Sequence, residues 1–112
     1  MMKLIIAIVQ DEDASRLVNQ LMKNGYGVTK LATTGGFLRA GNTTLLIGVD
    51  DDKLPAVMEI IEQVCKSRKQ VTSAPSAMGS MGVMHGAASY PVEVTVGGAT
   101  VFVMSVDQFV KL

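Results

Sequence analysis

The spacing of apolar and polar positions changes several times along the chain, and each change predicts an element. Lys3 to Val9 is a short, almost unbroken apolar run rich in β-branched residues, which predicts a strand buried on both faces. Asp11-Glu12-Asp13 follows. It offers an N-cap and negative charge suited to a helix N-terminus. Leu17, Val18, Leu21 and Met22 recur at helical spacing, and Asn24-Gly25 is a helix stop because both residues tolerate the left-handed conformation. A helix is expected over about 14–23.

Residues 26–34, rich in Thr and Val, predict a second strand, and 43–49 a third. Between them, 35–42 reads as a loop, with three glycines in eight residues. Asp50-Asp51-Asp52 precedes a second helix expected over about 53–66. Its apolar stripe is Leu54, Val57, Met58, Ile61, Val64 and Cys65, and Pro55 is tolerable in its first turn. The two halves echo each other, each a strand ending in an acidic run before a helix, as a split βαβ duplication would leave. From about 67 to 89 Gly, Ser, Ala and Met dominate without a period, which predicts a long, flexible loop, functional or disordered. Residues 90–96 alternate as a strand, Gly97-Gly98 reads as a hairpin turn, and 99–106 as the returning strand. The expected class is α+β: one domain over 1–112, a ferredoxin-like βαββαβ sandwich with an added C-terminal β-hairpin and a long loop before it.

Composition narrows the function. The 112 residues carry ten Lys and Arg against ten Asp and Glu, so the basic surplus that polyanion binding needs is missing. No nucleic-acid polymer is expected as a partner. The single cysteine, Cys65, excludes an internal disulfide, and the single histidine, His85, excludes His–His metal ligation. The N-terminal apolar run, Leu4 to Val9, is far shorter than the about 20 residues of a membrane span. No membrane insertion is expected, and the cytoplasm is the expected compartment. No acid–base pair or activated nucleophile can be assembled, so neither an enzyme nor a catalytic residue is expected.

Thr33 to Thr44 holds the densest chemistry. Adjacent Gly35 and Gly36 let backbone N–H groups converge on an anion, Phe37 offers a stacking face, and Asn42 an amide that pairs bidentately with adenine. These suit a phosphate-bearing purine; equally, the glycines could serve turn geometry alone. Met78, Met81, Met84 and His85 form a cluster that could take Cu(I) or simply pack over an apolar surface. Cys65 reads as a small buried hydrophobe. Lys66, Arg68, Lys69 and Arg39 could form a basic rim or a solvated helix end. Phe109 could cover a ligand or dock into the core.

Three stretches together resemble a known family. They are Ile5 to Asp11, Thr29 to Thr44 with its Thr-Thr-Gly-Gly-Phe-Leu block, and Tyr90 to Val94 with Val96 to Val103. They are similar to the PII-like cyclic di-AMP receptor proteins of Gram-positive bacteria over nearly the full length. The resemblance implies a cytosolic signal-transduction receptor that is not an enzyme and needs no cofactor. It implies a homotrimer with cyclic di-AMP in each cleft between subunits, relayed by loop rearrangement to a downstream protein. By the same resemblance, Asn24, Thr29, Gly36, Phe37, Leu38, Asn42 and Gly48 are site positions, and Gly27, Gly35 and Phe109 are candidates beside them. Asn42 and the backbone near Gly48 would hold an adenine, Phe37 and Leu38 would pack on a base, and Thr29 and the glycine-rich turn would meet phosphate and ribose. The chain differs from the family where Gly27 replaces a common Arg, in the Met-rich loop, and at its Lys111-Leu112 end. Two other readings stand beside this one: a PII-type regulator of another nucleotide such as ATP, and a Met/His copper-handling module.

Overall fold

In the computed structural model, the elements run β1 (Met2–Gln10), α1 (Asp11–Lys23), β2 (Val28–Lys30), β3 (Asn42–Asp50), a 3-10 turn (Asp51–Lys53), α2 (Leu54–Cys65), β4 (Arg68–Pro75), β5 (Ser89–Val96) and β6 (Ala99–Ser105). The structure describes residues 1–31, 41–75 and 89–112, with backbone only at 72–75 and 89–90. Two compact units share the chain: Met1–Lys66 with Gly97–Leu112, and Ser67–Val96.

The first unit is a four-stranded sheet of order β2-β3-β1-β6 with every pairing antiparallel. Alternate residues of the central strands, Ile5, Ala7 and Val9 with Leu45, Ile47 and Val49, form one core with Leu17, Leu21, Val57, Ile61 and Cys65 of the helices. The expected stripes hold, except that Met22 is exposed. This mixed α+β arrangement of two helices and antiparallel sheets is compatible with a ferredoxin-like fold.

Local chemistry explains the element ends. α1 stops in a Schellman arrangement: Tyr26 N–H donates to Leu21 C=O at 2.9 Å and Gly25 N–H to Met22 C=O at 3.0 Å, with Gly25 at φ +88°. A β-carbon would strain that conformation, which is why the Asn-Gly signal was informative. At the other end, α1 begins earlier than its periodicity predicts. Gln10 occupies the N-cap position without a side-chain cap, and Asp11, Glu12 and Asp13 fill the first turn, where their charge meets the positive end of the helix dipole.

Two expectations are corrected. The stretch read as a loop over 67–89 contains β4, and β5 already begins at Ser89; the two pair from Arg68↔Val96 to Pro75↔Ser89. Residues 76–88, with Met78, Met81, Met84 and His85, lie outside the described residues. The Gly97-Gly98 pair is not a hairpin turn between β5 and β6, because β5 pairs with β4 while β6 pairs with β1. The physical reason lies in the ladders. β6 supplies Val101 to the helix-covered core opposite Ala7, whereas β4 and β5 satisfy each other's backbone groups.

Candidate functional site

The chain direction assigns each candidate residue to one end of the sheet. β1 runs from Met2 to Gln10 and α1 returns, so Asn24 lies at the starting end. β2 lies beside β3 with Val28 opposite Ile47, and one further step of that register sets Gly27 beside Gly48. β6 ends with Ser105 opposite Lys3, and Val106 N–H donates to Met2 C=O at 3.0 Å. The C-terminal segment with Phe109 therefore leaves from the same end. Phe109 is 64% exposed and is not part of the core. Asn24 is engaged as a cap: its Nδ2 donates to Gln20 C=O at 2.7 Å.

The glycines at this end are informative through what they do not need. Among the described residues, a β-carbon at Gly27 would meet nothing within 4 Å, and at Gly48 only the Met2 sulfur at 3.7 Å, an ordinary contact. Neither lies in the left-handed region. A strand-interior glycine costs about 0.5–1 kcal/mol relative to Ala. Where no described neighbour requires it, it suits close approach by another molecule.

Asn42 lies at the opposite end, six positions before Gly48 along β3. At about 3.3 Å per residue that is about 20 Å, so one chain does not bring Asn42 and Gly48 to the same adenine. Asn42 pairs with Gln10 at the last step of the β1–β3 ladder. Behind it, the buried Thr43 hydroxyl donates to Asp11 Oδ1 at 2.5 Å, and Asp11 N–H donates to Gly41 C=O at 3.2 Å. These bonds tie the start of β3 to the start of α1 and hold Asn42 in place. Thr29 is exposed in β2, opposite Leu46, between the two ends. Gly35, Gly36, Phe37 and Leu38 lie outside the described residues. The chain leaves toward them beside Thr44, whose C=O accepts Leu31 N–H at 2.9 Å, and returns at Gly41, so both flanks belong to the Asn42 end.

An open cavity of about 270 Å³ lies at the Asn42 end, with Gln10, Asn42, Gly97 and Thr100 among its lining residues. Gln10 Oε1 accepts Gly97 N–H at 2.8 Å, and Cys65 C=O accepts Gly98 N–H. Gly97 and Gly98 sit at φ +83° and +93°. Their N–H groups are thus engaged within the chain and do not form an anion-binding nest. A second groove, about 550 Å³ along α2, is lined by Pro55, Met58, Glu59, Glu62 and Gln63. Its two carboxylates repel phosphate, so it does not suit the ligand chemistry. The sequence reading does not single out Gln10. Its partnership with Asn42 comes from strand register, and the only local signal is a polar residue closing an apolar strand.

The cyclic-di-AMP receptor family matches residues 2–112. The chain belongs to that family, and membership supports cyclic di-AMP binding and signal transduction rather than catalysis. A crystal structure of a functionally unknown protein from Pediococcus pentosaceus ATCC 25745 is 42% identical, with a TM-score of 0.78 over 99% of this chain and 97% of that one. LarC2, the C-terminal domain of a cyclometallase involved in the synthesis of the NPN cofactor of lactate racemase, in its apo form, is 13% identical with a TM-score of 0.46. That match covers 93% of this chain and 78% of that one, and at this similarity it carries no argument. Among the described residues, no helix is long and apolar enough to cross a membrane.

Proposed function

We propose that the protein is a cytosolic receptor that binds cyclic di-AMP in the clefts between the subunits of a homotrimer, with a ferredoxin-like unit as the body of each subunit. Binding rearranges loops and so passes the signal to a downstream protein. The observation that carries this reading is the split of the candidate positions. Asn24, Gly27, Gly48 and Phe109 belong to one end of the sheet, while Asn42 and both flanks of the Gly35–Leu38 segment belong to the other. A single subunit offers two half-sites about 20 Å apart along β3, and a cleft between copies joins the half-site of one to the complementary half-site of the next. The sheet face away from the helices supports the assembly. Leu4, Ile6, Ile8 and Leu46 are half-buried there beside exposed Phe102 and Met104, and apolar patches of this kind mark interaction surfaces.

Calorimetry against cyclic di-AMP, cyclic di-GMP, ATP and Cu(I), with light scattering on the same sample, tests the reading. Cyclic di-AMP should bind to a particle of three chains. Asn42→Ala and Phe37→Ala should each weaken it about 5- to 150-fold, the range of one base contact at about 1.4 kcal/mol per decade. A monomer at micromolar concentration would sink the interface site. Preference for ATP would favour the broader PII-type reading, and Cu(I) binding alone the metal-handling one.

A further inference from the structure

Gln10 closes β1 directly opposite Asn42 and shares its cavity. Gly97 N–H, 2.8 Å from Gln10 Oε1, can be met only by the carbonyl end of the amide, so the end left for a ligand is Nε2 with its two donors. That end is also fixed in place. The partner backbone is held by Gly98 N–H on Cys65 C=O, and a donor immobilised before binding loses less freedom when a ligand arrives.

Asn reads adenine bidentately through N6 and N7. That contact occupies the Hoogsteen edge and leaves N1, an acceptor, on the neighbouring Watson–Crick edge. We infer that Gln10 is a second base-reading residue, whose Nε2 donates to N1 of the adenine held by Asn42. The inference rests on the cyclic di-AMP reading above and deepens it, because it supplies a reason for choosing adenine. Hypoxanthine and guanine carry a hydrogen on N1, so donor would face donor, and a site built around one hydrogen bond rejects a base that leaves it unmade.

The test begins with the unmodified protein. Its affinity for cyclic di-AMP is compared by calorimetry with that for the 1-deaza analogue, in which N1 is replaced by C–H. The analogue should bind about 5- to 150-fold more weakly; equal affinity overturns the inference. Gln10→Glu provides the second arm. It keeps an acceptor for Gly97 N–H but turns the ligand-facing donor into an acceptor. The preference for cyclic di-AMP over cyclic di-IMP should then fall about tenfold or more, a change that loss of a structural bond alone does not produce. An unchanged preference in a folded variant overturns the inference. If that variant does not fold, the analogue comparison decides alone. If the unmodified protein binds neither adenine dinucleotide, the ligand reading itself fails and the inference falls with it.

Discussion

On one face of the four-stranded sheet Ile5, Ala7, Val9, Leu45 and Ile47 are at most 1% exposed beneath the two helices. On the other, Leu4, Ile6, Ile8 and Leu46 alternate with them along the same strands, and the edge strand leaves Phe102 52% exposed. The residue types are nearly the same, but among the described residues of this unit only one set lies beneath the helices. An apolar run without alternation signals burial on both faces, and two helices are enough for one. The covered face makes the subunit fold. The open face, in our proposal, makes the assembly and brings the half-sites together.

Four substitutions probe that division, in decreasing order of expected effect. Leu17→Ala opens a cavity under the covered face and should cost about 2–5 kcal/mol, read as a lower urea midpoint; a loss below about 1 kcal/mol would show that the helices do not carry subunit stability. Ile6→Glu places a charge at the centre of the open face. It should convert trimers to monomers in sedimentation while far-ultraviolet circular dichroism stays unchanged. Intact trimers would remove the open face from the interface. Gly27→Arg adds a guanidinium where, among the described residues, a β-carbon meets nothing within 4 Å. At about 1.5–3 kcal/mol for charged hydrogen bonds, it should tighten cyclic di-AMP about 10- to 150-fold by calorimetry, and an unchanged affinity would take this end of the sheet away from the phosphates. Lys69→Ala removes a cross-strand pair to Glu93 at 3.7 Å, with side chains 70% and 61% exposed. It should change thermal stability by less than about 1 kcal/mol; a larger loss would mean that the hairpin unit contributes to the stability of the whole chain.

The hairpin unit shows why some of the fold escaped the sequence reading. β4 reads Arg68-Lys69-Gln70-Val71-Thr72-Ser73-Ala74-Pro75, with Val71 68% exposed. Among its described side chains, Arg68 to Val71, none is buried and no period is imposed, and what makes the element a strand is the backbone ladder to β5. Ladder hydrogen bonds do not depend on side-chain type, so they leave little trace in composition. β5, whose valines 92, 94 and 96 are half-buried while Pro91, Glu93 and Thr95 are exposed, was legible for the opposite reason.

Features under short-range control are written directly in the order of residues. The helical stripes follow from the period of apolar positions, the end of α1 from Asn24-Gly25, and the central strands from unbroken β-branched runs. That Phe37 and Asn42 carry groups suited to a purine was legible from side-chain type, and the family followed from the motif around them. Tertiary structure decided which partner each strand takes, that Gly97-Gly98 joins β5 to β6 without making them a hairpin, and that Asn42 and Gly48 stand at opposite ends of β3. It also set Gln10 beside Asn42, 32 positions apart in the chain. The reason is that register depends on the sum of many weak contacts along two strands, and a one-residue slip would turn every side chain of β3 to the other face. No single residue encodes that sum, so a neighbour across the sheet becomes visible only when the strands are paired.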